Sequence, residues 1–185
     1  MDDIKIVELY WERSEDAIIE TGIKYGRLCR HIVRNILANE QDEEECVNDT
    51  YLGVWNAIPP RKPNILSSFV GRVARNQALK KYKYVTAERR NPEAACSLTE
   101  LEDCVSGEDS VETELEGKRI EKAISDFLWN QGEEKRMVFV RRYWYFEPIA
   151  VISKRSGFSE SKVISMLYNT RIKLRAYLES EGIEI

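Results

Sequence analysis

VISKRSGFSESKVISMLYNTRIKLR, residues 151–175, is the stretch on which the fold turns. Just before it, Pro148 suits the first position of a short helix, where its missing N–H costs nothing. Gly157 marks a tight turn. Ser159 can cap a second, longer helix running to about Glu179. Ser153, four residues before Gly157, is small enough to allow a close crossing. Val163, Leu167, Thr170 and Leu174 recur at helical spacing and predict a buried stripe. The opposite face presents Ser161, Lys162, Ser165 and Asn169. Such a pair predicts a helix-turn-helix, whose second helix lies in the major groove with its N-terminal residues at the base edges. Lys and Asn suit guanine and adenine edges. Lys154, Arg155, Arg171, Lys173 and Arg175 could then neutralise phosphates. The same spacing also fits an ordinary helical hairpin with a cationic surface.

Working outward, the rest of the chain also reads as helix, giving an all-α expectation. A short helix is predicted over 3–12. Ser14 can cap a longer one with Glu15 and Asp16 in its first turn. Its stripe is Ile18, Gly22, Tyr25, Cys29, Ile32 and Ile36, and Asn39 is placed to end it. A third helix begins near Asp42, with Val47, Tyr51, Val54 and Ile58 inward, and stops at Pro59 and Pro60. A fourth, capped by Ser67, runs to about residue 88. Leu66, Phe69, Val70, Val73 and Ala74 form its buried stripe, while Arg72, Arg75, Asn76, Lys80 and Lys83 lie on its other face. After residue 112 periodicity resumes with Ile120, Ala123, Ile124, Phe127 and Leu128, ended by Asn130, Gln131 and Gly132. One more helix is predicted from about Glu133 to Tyr145. The aromatic residues Trp55, Phe69, Trp144, Tyr145 and Phe146 read as core rather than as base-stacking groups.

Between these helical blocks, residues 91–112 lose apolar residues, gain acids and carry Pro92, Ser106, Gly107 and Ser110. They read as a linker. The expected organisation is a domain over 1–90, an acidic linker over 91–112 and a second domain over 113–185. Charge follows the same division. Residues 61–90 carry nine Lys/Arg against Glu88, and residues 135–175 carry ten against Glu147 and Glu160. Residues 91–116 carry nine acids and no base. The net charge of −4 therefore averages two cationic blocks and one anionic one, an asymmetry that points to nucleic acid.

Several functions are disfavoured. Cys29, Cys46, Cys96 and Cys104 show no CxxC spacing, and His31 is the single histidine, so neither a metal site nor a cofactor is expected. The thiols read as reduced. No GxSxG, Walker-type loop or HExxH occurs, so no enzyme is expected. No stretch approaches the roughly 20 apolar residues that span a bilayer, and the first residues lack the plan of a signal peptide. A cytoplasmic protein is expected.

Residues 151–175 resemble region 4 of the extracytoplasmic-function sigma factors, the small two-domain branch of the sigma-70 family. ECVNDTYLGVWNA at 45–57 resembles region 2.2, and FVGRVARNQAL at 69–79 resembles the following region 2 helix. The three come in family order and spacing, over roughly residues 5–180. The chain departs at Cys46, Asn48, Val151 and Ser153. It also departs in the recognition helix, where Ile164 and Met166 stand in place of Lys and Arg.

This resemblance implies a factor without chemistry of its own, which lends promoter specificity to RNA polymerase and helps open DNA. Glu45, Asn48, Asp49 and Asn56 would face a coiled coil of the largest subunit of core polymerase. Arg61, Lys62 and Asn64 would lie in the loop that captures a flipped base of the −10 element. Arg72, Arg75, Asn76 and Lys80 would hold the freed strand. The helix-turn-helix residues named above would read the −35 element. An anti-sigma protein is a further partner that the resemblance implies. The alternative is a stand-alone helix-turn-helix regulator that never binds polymerase.

Overall fold

The computed structural model describes residues 1–85, 89–105 and 114–183, and the described part is helical apart from turns and one isolated bridge. The chain divides into two compact units, Met1–Ala94 and Ala95–Ile185. The first holds α1 (Asp3–Trp11), α2 (Asp16–Ile36), α3 (Glu40–Ala57) and α4 (Leu66–Tyr84). The helix α5 (Pro92–Val105) begins at its end. The second unit continues with α6 (Glu114–Trp129), α7 (Glu133–Tyr143), α8 (Ile149–Ser156) and α9 (Glu160–Ser180). No helix among the described residues is long and apolar enough to cross a membrane.

In the first unit α2, α3 and α4 pack on one another, and α1 lies on α2. Ile6, Tyr10, Cys29, Ile32, Val33, Ile36, Val54, Leu66, Val70, Ala74 and Ala78 make its core. The inner stripe of α2 is shifted from expectation: Ala17, Thr21 and Gly26 are buried, whereas Ile18 and Tyr25 are half-buried. Tyr10 explains part of the shift, since its hydroxyl shares a buried 2.8 Å hydrogen bond with Thr21. Burial pushes the Cys29 thiol up to about 11 and the Cys46 thiol up to about 12. Both remain protonated and unreactive at neutral pH.

The caps differ from the sequence reading. Ser14 does not cap α2, and Ser67 does not cap α4, which starts two residues earlier than expected, with Ile65 at the cap position. Asn39 does not end α2. Instead its side chain accepts the Asp42 N–H and starts α3. The helix α4 ends at Tyr84, short of the end expected near residue 88, with Val85 in extended conformation at the cap position; residues 86–88 are not described.

Where α3 meets α4 the contact is close. A Cβ on Gly53 would sit 2.8 Å from Val73 Cγ1 and 3.3 Å from Gln77 Nε2. Val73 is β-branched and has little rotamer freedom in a helix. Gly53→Ala therefore overpacks the contact by about 1–3 kcal/mol, against a propensity gain of about 1 kcal/mol. The expected outcome in urea unfolding is a lower midpoint with an unchanged slope, and a raised midpoint would refute the close approach.

The stretch expected to be an irregular linker carries α5. Asn91 accepts the Glu93 N–H at 3.0 Å, Pro92 occupies the first position, and Ala94, Ala95, Leu98 and Leu101 favour helix. Ser97 is fully buried, and Leu101 packs against the core of the second unit. The remainder of the expected linker, 106–112, lies outside the described residues.

The second unit is built around α9, against which α6, α7 and α8 pack. Phe127, Val138, Phe139, Ile152, Val163, Leu167, Leu174 and Leu178 are its core. Here the sequence reading of the turn matches the structure. Gly157 ends α8 with φ +73°, a conformation glycine adopts without cost. Ser159 accepts the Lys162 N–H at 3.2 Å and caps α9. Ser153 Oγ donates to the Phe158 carbonyl at 2.6 Å, closing the turn from inside. Phe146 is buried as expected, whereas Trp55, Phe69, Trp144 and Tyr145 are only half-buried.

Candidate functional surfaces

Three surfaces stand out, two on the first unit and one on the second. The first runs along α3. Glu45, Asn48, Asp49 and Asn56 are all exposed and share one side of the helix. Leu52 lies among them at 56% exposure. Sequence reading missed it, although the spacing 45, 48, 49, 52, 56 places it on that stripe. It is an exposed apolar side chain whose neighbours on that side of the helix are polar. Glu45 is also tied down: Lys81 Nζ of α4 bonds both Glu45 and the buried Asp42, and Arg89 reaches Asp42 at 2.9 Å.

The second surface joins the loop before α4 to α1. Arg61, Lys62 and Asn64 are exposed there. Lys62, Pro63, Asn64 and Leu66 form one wall of a cleft of about 310 Å³, and Asp3, Ile4, Val7, Glu8 and Trp11 form the other. That volume lies at the lower end of small-molecule sites. Hydrogen bonds from Lys24 and Tyr25 hold the Asp3 carboxyl below the usual carboxylate range, so it stays charged and occupied. The contribution of α1 could not be read from sequence, because residues 3–11 and 62–66 meet only in the fold. Beyond the loop, Arg72, Asn76 and Lys80 are exposed along α4 at four-residue spacing. Arg75 corrects the expected outward row: it is half-buried, and burial pulls its guanidinium pKa down.

The third surface is the outer side of α8 and α9. Lys154, Ser161, Lys162, Ser165, Asn169 and Lys173 are exposed. The Lys162 ammonium also lies 3.5 Å above the Phe158 ring. Three arginines expected on this surface are ion-paired within the unit. Arg155 approaches the buried Glu147 at 3.5 Å, and Arg175 bonds Glu179 at 3.2 Å. Arg171 is directed to Glu100 of α5, at 3.3 Å, and also donates to the Tyr143 hydroxyl. Glu100 additionally accepts from the fully buried Arg142 at 2.9 Å and from Tyr143 at 2.8 Å. Burial alone would raise the Glu100 carboxyl, but these hydrogen bonds outweigh it and hold the pKa below the usual range. The acids of the middle segment are thus partly structural.

Two of the three surfaces, the loop with α4 and the outer side of α8 and α9, carry exposed Lys and Arg side chains. Residues 23–88 match the family model described as sigma-70 region 2, which spans most of α2 together with α3, the loop and α4. The match covers less than half of the chain, lies within the first unit, and is a likeness to that region. No curated protein matches the chain.

Proposed function

We propose that the chain is a sigma factor of the extracytoplasmic-function type, with region 2 in the first unit and region 4 in the second. The observation that carries this is the order of surfaces along the matched domain. A polar stripe with Leu52 at its centre precedes a cleft-forming loop, which precedes a cationic helix. In this reading α3 docks on the coiled coil of the largest polymerase subunit through Glu45, Asn48, Asp49, Leu52 and Asn56. The cleft beside Lys62 and Asn64 takes a base of the −10 element extruded from the duplex. Extrusion costs a few kcal/mol and is cheapest where pairing is weak. Arg61, Arg72, Asn76 and Lys80 track the freed strand. Arg75 would contribute from its half-buried position.

The second unit supplies the helix-turn-helix. Its α9 reads the −35 element through Ser161, Lys162, Ser165 and Asn169, with Lys154, Arg155, Lys173 and Arg175 along the phosphates. Arg171 would join them by exchanging its bond to Glu100. An anti-sigma protein that masks these surfaces belongs to the same reading.

Run-off transcription from genomic fragments with core polymerase tests the proposal. The expected result is discrete start sites that appear only when the chain is added. Asp49→Lys introduces a like-for-opposite charge beside Leu52 and should weaken co-purification with core polymerase at least tenfold, since misplaced interface charges cost several kcal/mol. Unchanged co-purification would move the interface elsewhere. Salt-dependent duplex binding without polymerase binding would favour the stand-alone regulator.

A further inference from the structure

The exposed side of α9 is not uniformly polar. Ile164, Tyr168 and Ile172 recur every four residues, at 50%, 56% and 50% exposure. Single exposed apolar residues are ordinary on a protein surface, but three in register on one helix are not. At 100° per residue, Ser161, Ser165, Tyr168 and Ile172 lie opposite the buried stripe of Val163, Leu167, Thr170 and Leu174, and Ile164 borders them. Basic residues flank the face: Arg175 lies on one side, level with Ile164 and Tyr168, and Lys162 and Lys173 lie on the other. From Glu160 to Ala176 the centre carries no charged residue; Glu179, in the last turn, does lie on it.

A duplex major groove has the complementary cross-section, with phosphates at both lips and base edges on the floor. A floor-facing arginine would read guanine. The groove feature that suits an apolar side chain is the thymine 5-methyl group. Reach selects among the three residues, since the N-terminal part of a recognition helix approaches the bases. Ile164 lies in the second turn and Tyr168 in the third, whereas Ile172 falls beyond.

We infer that Ile164 and Tyr168 are specificity-determining residues that read thymine methyl groups, so that the chain selects a −35 element with thymines at two fixed positions. The inference rests on the reading of α8 and α9 as a DNA-binding pair. Ser161 and Ser165 accept more than one base edge and leave the methyl contacts to discriminate. The expected penalty for a lost methyl is about fourfold in affinity, the equivalent of exposing one methylene-sized apolar group.

The test selects duplexes from a random pool with the full chain bound to core polymerase, and in parallel with the chain alone. Each selected thymine is then replaced by deoxyuridine, which removes only the methyl. The expected result is two positions at which the replacement weakens binding about fourfold. Ile164→Ala should abolish the effect at one and Tyr168→Ala at the other, with Ile172→Ala neutral. Salt-dependent selection of a site that ignores the replacement would overturn the inference while leaving the DNA-binding reading intact. Such a result would assign the stripe to a protein partner. Failure to select any duplex would overturn both.

Discussion

Arg142→Ala should lower the stability of the second unit by about 3 kcal/mol, near the low end of what removing one partner of a buried ion pair costs. Arg142 is 1% exposed, bonds Glu100 at 2.9 Å and donates to the Glu147 carbonyl. Its loss leaves Glu100 with Tyr143 and Arg171, which keeps the cost from the top of the range. The measurement is urea unfolding followed by far-ultraviolet circular dichroism. A shift below about 1 kcal/mol would mean that α5 is not held by this network. The pH dependence follows from the depressed pKa of Glu100. Its stabilisation is fully present above the carboxyl's unfolded value of about 4.3 and is lost as pH falls through the lower folded value. Glu100→Gln should therefore lower stability most at pH 7, where the carboxylate's contribution is complete, and the difference should shrink as pH falls, flattening the acid limb of the stability curve.

The second large effect concerns DNA. Lys154, Lys162 and Lys173 are exposed on the outer side of α8 and α9. Each phosphate contact contributes about 0.9 to the slope of log affinity against log salt. Replacing all three by Ala should reduce that slope by about 2.7 and weaken duplex binding by roughly two to three decades at about 0.1 M salt. Exposed lysines contribute little to folding, so the unfolding midpoint should stay in place. Fluorescence anisotropy across a salt series measures the slope. An unchanged slope would remove this surface from the DNA interface.

What could be read in the sequence follows a physical division. Helical period survives in a linear string, so α2, α3, α4, α6 and α9 were legible from their apolar stripes. The turn between α8 and α9 was legible in detail, because Gly157 and Ser159 each answer a local backbone demand. Partnerships between distant residues were not. Nothing near Arg171 announces that Glu100 will meet it, and a run of nine acids looks like a solvated linker until one of them is seen to bind two arginines. Caps were misread for a related reason. Ser14, Asn39 and Ser67 are all plausible by composition, and only tertiary packing decides where each helix begins. The cleft was half legible: Lys62 and Asn64 were identified, but the wall supplied by Ile4, Val7 and Trp11 belongs to a helix some sixty residues away. Leu52 could have been placed from its spacing to Glu45, Asn48, Asp49 and Asn56, and Ile164 was noted as a departure, but an apolar residue between polar neighbours does not reveal in the string whether it is buried.

The turn between α8 and α9 has a thermodynamic consequence. Ser153 Oγ holds the Phe158 carbonyl and Ser159 holds the first turn of α9 without any help from a ligand. The ordering entropy of this corner is therefore spent during folding, not at the moment of encounter. Association through α9 should then show the modest heat-capacity change of rigid docking. A segment that folds on its target would show the larger value that accompanies burial of newly ordered chain.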